Sequence, residues 1–439
     1  MTKEWLRRLL FIGKRERPTP VAPGLYHMMH EGEGTIARFH LRVERDGSGM
    51  LIANAVATAR LTPTGVIIAK GLLEGASDAQ IAAMLRKHFS RTDPGVITAD
   101  IERVRTLIKQ ITEPGDLYPI FNLEDATFSP YRAELIAPLQ ASLPLREGSA
   151  PQPILDRLWE VGIPHVTFLY SDTSQPSTLV HAIERAEDLG MIAGVRARAT
   201  HLADVGFLTE LMLAGVDHVN FLYASHQPEV HDALCGEGDL TAARWLLDWL
   251  EENELCAVAE IPLVQATLDE LEITVAELLD HGADNLSFVA YATTDPDLAI
   301  QDGIFAAPSM VQVAATVEEI AHMTQARFMW SPPIERDPRL PLTHQIQAGP
   351  RCTGDVAIRV EPNGDVIPPR GPARSAGNIL RDPWEAIWES EPFRAYRERV
   401  ESPTRCDICP GLTICAADCP KNPAGWARFV VTSDEAPET

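Results

Sequence analysis

Polar and apolar residues change their repeat several times along this chain. From Ala37 onward, Phe39-His40-Leu41-Arg42-Val43 and Met50-Leu51-Ile52-Ala53 flank Asp46-Gly47-Ser48-Gly49. Alternation around a turn-forming stretch predicts a β-hairpin. The repeat then becomes helical. Thr62 or Thr64 stands where a cap is needed before Val66-Ile67-Ile68-Ala69-Lys70-Gly71-Leu72-Leu73, and Ser77-Asp78 caps a second helix with Ile81, Met84, Leu85 and Phe89 on one face. From Pro119 to about Pro333, strand and helix patterns alternate. Strands are predicted at Tyr118 to Leu123, His165 to Tyr170, Gly194 to Ala197, His218 to Tyr223, Ala257 to Ile261, Asn285 to Ala290 and Arg327 to Trp330; between them, stripes such as Phe207-Leu208 with Leu211-Met212 have helical spacing. This alternation implies parallel strands with crossover helices, an α/β architecture forming a partial or full (β/α) barrel. Functional groups are then expected at the C-terminal ends of the strands. Further on, Val356 to Val360, Glu361-Pro362-Asn363-Gly364-Asp365 and Val366 read as strand, Asn-Gly turn and strand, followed by a helical run Trp384-Glu385-Ala386-Ile387-Trp388.

Composition narrows the function. A chain of 439 residues with 45% hydrophobic content buries a large core and suits two or three domains. A net charge of −24, with positive residues scattered, excludes a general nucleic-acid binder. No apolar run approaches the roughly 18 residues of a membrane span, and the N-terminus lacks a signal-peptide core, so the cytoplasm is the expected compartment. Trp5-Leu6-Arg7-Arg8-Leu9-Leu10-Phe11 is basic and amphipathic and reads as a terminal helix.

Candidate chemistry concentrates near the C-terminus. Cys406-Asp407-Ile408-Cys409, Cys415 and Cys419 follow one another with gaps of two, five and three residues, in a chain with seven cysteines in all. A Cys-x-x-Cys step brings two thiolates to one metal, and Pro410-Gly411 turns the backbone so that Cys415 can approach. By spacing alone, zinc and an iron–sulfur cluster are both open. Cys235 and Cys256 stand apart and read as buried small hydrophobes. His226 and His231, with Asp232, could form an acid–base cluster at a strand end, but His231-Asp232 reads better as the start of a helix. No phosphate-loop or dinucleotide glycine fingerprint is present.

The run from Cys352-Thr353-Gly354, through the hairpin and Ala376-Gly377-Asn378-Ile379, to Cys419 closely resembles the SPASM domain, the C-terminal extension of many radical SAM enzymes, which holds two auxiliary [4Fe–4S] clusters. On that resemblance Cys406, Cys409 and Cys415 are three ligands of one cluster, and Cys352 and Cys419 belong to the other. The family's cysteine five residues after the hairpin glycine is replaced here by Pro369, and no cysteine follows Cys419. Both ligand sets are incomplete, so the resemblance implies one [4Fe–4S] cluster or none, with zinc as the alternative metal.

Ile154 to Phe168, and Gly215-Val216-Asp217-His218-Val219 with Pro228 to Asp232 downstream, resemble strand regions of radical SAM barrels. The hairpin and helices after Ala37, with Leu61-Thr62-Pro63-Thr64-Gly65, resemble the PqqD-like domain, a winged-helix module that binds precursor peptides beside radical SAM partners. The catalytic parts are nonetheless missing. Where the family carries Cys-x3-Cys-x2-Cys after its first strand, Asn122 to Tyr131 has no cysteine; the Gly-Gly-Glu-Pro motif is replaced by Tyr170-Ser171-Asp172-Thr173, and an expected acid by Ala224. The resemblance therefore implies a degenerate radical SAM/SPASM-like protein without the radical SAM cluster and without bound SAM. It implies a noncatalytic peptide-binding or electron-transfer partner of an active radical SAM enzyme. The alternatives are an iron–sulfur enzyme using SAM or another small molecule in an altered barrel site, and a zinc-stabilised scaffold. The expected segments are residues 1–36, a winged-helix-like domain at 37–111, the barrel at 117–335, a cysteine-rich SPASM-like domain at 345–425 and a tail at 426–439.

Overall fold

The computed structural model describes residues 20–32, 35–53, 57–89, 93–112, 136–324, 326–331, 333–351, 357–394 and 426–428. The chain divides into two compact units, Met1–Asn54 with Thr58–Pro114, and Gly115–Thr439 with Ala55–Ala57.

The first unit carries a four-stranded sheet, β1 (Gly24–Gly32), β2 (Thr35–Val43), β3 (Gly49–Ala53) and β4 (Ala57–Leu61), in that spatial order. β2 and β3 form the expected hairpin, pairing Phe39 with Ala53 and Val43 with Gly49. Its turn is held by the Asp46 carboxylate, which accepts from the Ser48 backbone N–H at 2.8 Å and from its hydroxyl at 2.6 Å. A Cβ on Gly49 would lie 2.7 Å from Val66 Cγ2, so sheet and first helix can touch there only through glycine. Three helices follow, Pro63–Leu73, Asp78–His88 and Pro94–Thr112. Thr62, not Thr64, caps the first: its hydroxyl accepts from Gly65 N–H at 3.2 Å. Ser77 and Gln80 form a reciprocal capping box on the second. Ile81 and Leu85 are buried and Phe89 packs against the same core, but Met84 is 39% exposed. At about 100° per residue, Met84 falls well off the centre of the Ile81–Leu85–Phe89 stripe, which corrects the expectation that all four share one face.

The second unit is built on an α/β sheet of mostly parallel strands. They are β5 (Gln140–Pro144), β6 (His165–Leu169), β7 (Ile192–Ala197), β8 (His218–Leu222), β9 (Cys256–Leu263), β10 (Asn285–Thr293), β11 (Phe305–Ala306), β12 (Arg327–Trp330), β13 (Ile334–Glu335), β14 (Ala357–Val360) and β15 (Val366–Ile367). The order runs β11-β10-β9-β8-β7-β6-β5-β14-β15, with β12 and β13 also paired to β10. β5 to β10 pair in parallel throughout. Crossover helices close each step; Pro176–Asp188 packs on β7 and Asp239–Glu252 on β9.

Two features were not anticipated from the sequence. The strand beside β6 is β5, and the loop that follows it, residues 145–151, reads Leu-Arg-Glu-Gly-Ser-Ala-Pro. The strand expected at Tyr118 to Leu123, and the loop Asn122 to Tyr131 after it, lie outside the described residues. Secondly, β14 pairs in parallel with β5 and antiparallel with β15, so the C-terminal hairpin prolongs the main sheet. Its Asn-Gly turn places Gly364 at φ +89°, and Asn378 Nδ2 donates to Asn363 O at 2.8 Å and Asp365 Oδ1 at 3.0 Å. Trp384, opening the helix Trp384–Trp388, donates from Nε1 to Ile136 O at 2.8 Å. Among the described residues no helix is long and apolar enough to cross a membrane.

Candidate functional site

Parallel strands covered on both faces normally read as continuous apolar runs. Here they alternate. Val166, Phe168, Val195, Val219, Phe221, Ala259 and Ile261 occupy one set of positions, and His165, Thr167, Arg196, His218, Asn220 and Glu260 the other; all are buried. The polar set forms a continuous hydrogen-bonded line across the sheet. His165 Nε2 meets His218 Nε2 at 2.7 Å, His218 Nδ1 meets Asn220 Oδ1 at 2.6 Å, Asn220 Nδ2 reaches Glu260 Oε1 at 3.3 Å, and Arg196 Nε donates to Glu260 Oε2 at 2.7 Å.

The donors in this line are fixed from its charged end. Glu260 accepts from Arg196, so it also accepts from the Asn220 amide; Asn220 Oδ1 then accepts from His218 Nδ1–H, and His218 Nε2 accepts from His165 Nε2–H. Burial lowers both imidazoles, His218 to about 4 and His165 well below its ordinary value, the latter helped by its neighbour His218. The histidines span β7 only because Gly194 lies between them: a Cβ there would sit 2.0 Å from the His218 ring.

Arg196 ends this line at a cavity of about 830 Å³ beside the C-terminal ends of β5, β6 and β7. Its Nη1 donates to the carbonyls of Gln347 and Ala348, both at 3.1 Å, whereas Nη2 is buried without a hydrogen-bond partner among the described residues. Arg146, Arg198, Arg351, Arg359 and Arg428 also line the cavity, with Glu147 and Asp172 as its carboxylates. Tyr170-Ser171-Asp172-Thr173 forms part of the wall. Asp172 pairs with His201 Nε2 at 2.7 Å, while burial, the largest influence, still holds His201 below its ordinary value. The arrangement can bind and orient a negatively charged group; among the described residues it offers no thiolate.

Beneath the cavity lies a buried trio, His231, Cys235 and Asp239, whose ligand-type atoms come within 4.8 Å of one another. It does not suit a metal. His231 Nδ1 accepts from Ala224 N–H at 3.1 Å, which places the ring proton on Nε2, facing Asp239 Oδ2 at 3.4 Å. A metal-bound histidine instead donates from its second nitrogen. Burial raises the Cys235 thiol, with the Asp239 charge adding to it, and the Arg198 cation stands 3.7 Å from Asp239. Burial also pulls the Asp239 carboxyl up, but hydrogen bonds from His231 and Thr200 outweigh it and hold the group below its ordinary value.

The histidines singled out from sequence are structural. Asp232 accepts from Gly238 N–H at 2.8 Å and Leu240 N–H at 3.1 Å, and His226 lies 3.3 Å from the Thr274 hydroxyl. Cys235 is buried and Cys256 half-buried. Cys352, Cys406, Cys409, Cys415 and Cys419 lie outside the described residues. The polar strand face was not singled out from the sequence. Its signal was present: His-Val-Thr-Phe, Gly-Val-Arg-Ala and His-Val-Asn-Phe place a polar residue or glycine at every second position of strands that the topology buries twice.

Comparison with known proteins adds three findings. Residues 352–419 match the model of SPASM, an iron–sulfur cluster-binding domain. The fold is shared with Streptococcus suis SuiB: the SuiB structure bound to S-adenosylmethionine aligns at 11% identity and TM-score 0.51, covering 92% of this chain and 99% of that one. SuiB bound to the precursor peptide SuiA aligns at 13% identity and TM-score 0.50, covering 91% and 98%. No curated protein matches by sequence.

Proposed function

We propose that this chain is a non-cleaving relative of radical SAM/SPASM peptide maturases, one that binds a peptide or protein partner and keeps a single iron–sulfur cluster at its C-terminal cysteines. The observation that carries this reading is the chemistry at the strand ends. The loops after β5 and β6, where such a barrel would hold its radical cluster, present Arg146, Glu147, Ser171, Asp172 and Thr173. A [4Fe–4S] cluster requires thiolates, and guanidinium groups would repel any cation brought there. Among the described residues the donor set does not fit that cluster, and on this reading the chain does not cleave SAM.

The C-terminal donor set differs. Cys352, Cys406, Cys409, Cys415 and Cys419 supply five thiols, enough for one four-iron cluster and too few for two. Bound there, a cluster would supply electron transfer. An antiparallel sheet followed by three helices in the first unit is consistent with a PqqD-like peptide-binding module, and the SuiB complex with its precursor peptide supports the same partner class.

The test is iron, sulfide and zinc content of protein purified without air, wild type and Cys409→Ala, with an assay for 5′-deoxyadenosine after adding SAM and dithionite. About four irons per chain, lost in the variant, with no deoxyadenosine formed, is the expected result. Deoxyadenosine production above the reagent background sinks the reading. Zinc without iron reduces the cysteine segment to a scaffold.

A further inference from the structure

We propose that the cavity at the ends of β5, β6 and β7 is a recognition site for a ligand carrying two or more carboxylates. Six arginines line it, with Glu147 and Asp172 on its wall and Glu260, Glu361 and Glu335 paired with three of the arginines, in a chain whose net charge is −24, and among the described residues no lysine does. Such a concentration of guanidinium groups on an acidic protein is built, because each buried guanidinium costs desolvation.

The way these arginines are held selects the ligand. Glu260 takes Nε of Arg196 at 2.7 Å, Glu361 takes Nε of Arg359 at 2.5 Å, and Glu335 takes Nε of Arg428 at 2.7 Å. Each of these forks is fixed in orientation and half-neutralised. That suits single, planar, separated charges. A polyphosphate concentrates its charge and is usually cradled by backbone N–H groups, a lysine and Mg²⁺; here Glu147 and Asp172 on the wall oppose it. The arginines stem from β7 and the residue just past it, β14, the loop after β5 and positions 351 and 428, so they address more than one ligand group. Among the described residues Arg196 Nη2 is a buried donor without an acceptor.

Two glycines keep the forks in place. A Cβ on Gly349 would lie 2.0 Å from Arg196 Nη2, and one on Gly236 would lie 2.3 Å from Arg198 Nη2. A volume of about 830 Å³ accommodates either a free polycarboxylate or a few residues of an acidic peptide. Both sources present the same chemistry.

Calorimetric titration of the full chain at low salt with citrate, a capped Glu-Gly-Glu-Gly-Glu peptide, its glutamine counterpart and ATP tests this. Citrate or the glutamate peptide binds, the glutamine peptide does not, and whichever of the first two binds tighter identifies the source. Arg198→Gln weakens binding by about tenfold or more, as loss of a charge-assisted hydrogen bond implies. Gly349→Ala, which displaces the Arg196 fork, does the same, with circular dichroism checking that both variants fold. No binding of either carboxylate probe, tighter binding of ATP, equal binding of the glutamine peptide, or binding indifferent to both substitutions overturns the proposal. None of these results depends on whether the chain cleaves SAM, so the two readings fail separately.

Discussion

The two faces of the parallel sheet share every backbone hydrogen bond and differ in all else. One face sets Val166, Phe168, Val219 and Ile261 in an apolar interior; the other carries His165, His218, Asn220, Glu260 and Arg196 in a line that ends at the arginine-rich cavity. Apolar burial contributes stability in proportion to area, whereas a buried ion pair seldom improves on apolar side chains of the same size. A protein selected for stability alone would have made both faces alike. The difference marks the polar face as the one maintained for binding, with the other supplying the stability that it costs.

The comparison breaks most visibly at Glu260. Glu260→Gln leaves the Arg196 cation buried without its counter-charge and interrupts the line at its charged end. Breaking such a pair costs about 3–5 kcal/mol, which chemical denaturation of the second unit would register. A cost below about 1 kcal/mol would mean that water already compensates Arg196, and that the polar face is less dry than its burial implies.

Acid probes the same face without mutation. His218 is lowered to about 4 by burial, with the Asn220 hydrogen bond opposing the shift. In the unfolded chain it protonates near pH 6.5, so between about 6.5 and 4 the unfolded state binds the extra proton and stability falls as pH falls. The contribution is fully present above pH 6.5. The steepest loss is about 1.4 kcal/mol per pH unit for each imidazole, and His165, held lower still, acts in the same direction. Urea midpoints across this range check it; Asn220→Leu, which removes the acceptor of His218 Nδ1–H, extends the loss to lower pH if the derived orientation of the line is correct.

What could be read beforehand followed the range of the interactions. The hairpin around Asp46-Gly47 and the Ser77 cap rest on neighbours within a few residues, and β6 to β10, though paired with distant strands, carry their alternating pattern within themselves. β5 was missed because Pro138 stands just before it and Pro144 ends it, which breaks a strand pattern, and its other partner, β14, lies more than two hundred residues along the chain. The cavity was invisible for the same reason: Arg146, Arg196, Arg359 and Arg428 meet only after the sheet is assembled. The cysteine group stood out by its spacing, and the SPASM match spans it, though its residues lie outside the described ones. The alternation on the polar face was equally legible, but its meaning required knowing that both faces are covered.

The apolar face gives the smallest effect and the sharpest control. Ile261 is buried beside Glu260, on the opposite side of the same strand, and Ile261→Val removes one methyl group. Such a change costs about 0.5–1.5 kcal/mol, and because no ionisable group is touched the deficit should be the same at pH 7 and pH 5. Carboxylate binding should not change either, since the strand backbone and the polar face are left intact. A deficit that grows on acidification, or a loss of binding, would show that packing on the apolar face sets the geometry of the histidine–glutamate–arginine line. The two faces would then be a single mechanical unit, and the division between stability on one side and recognition on the other would have to be abandoned.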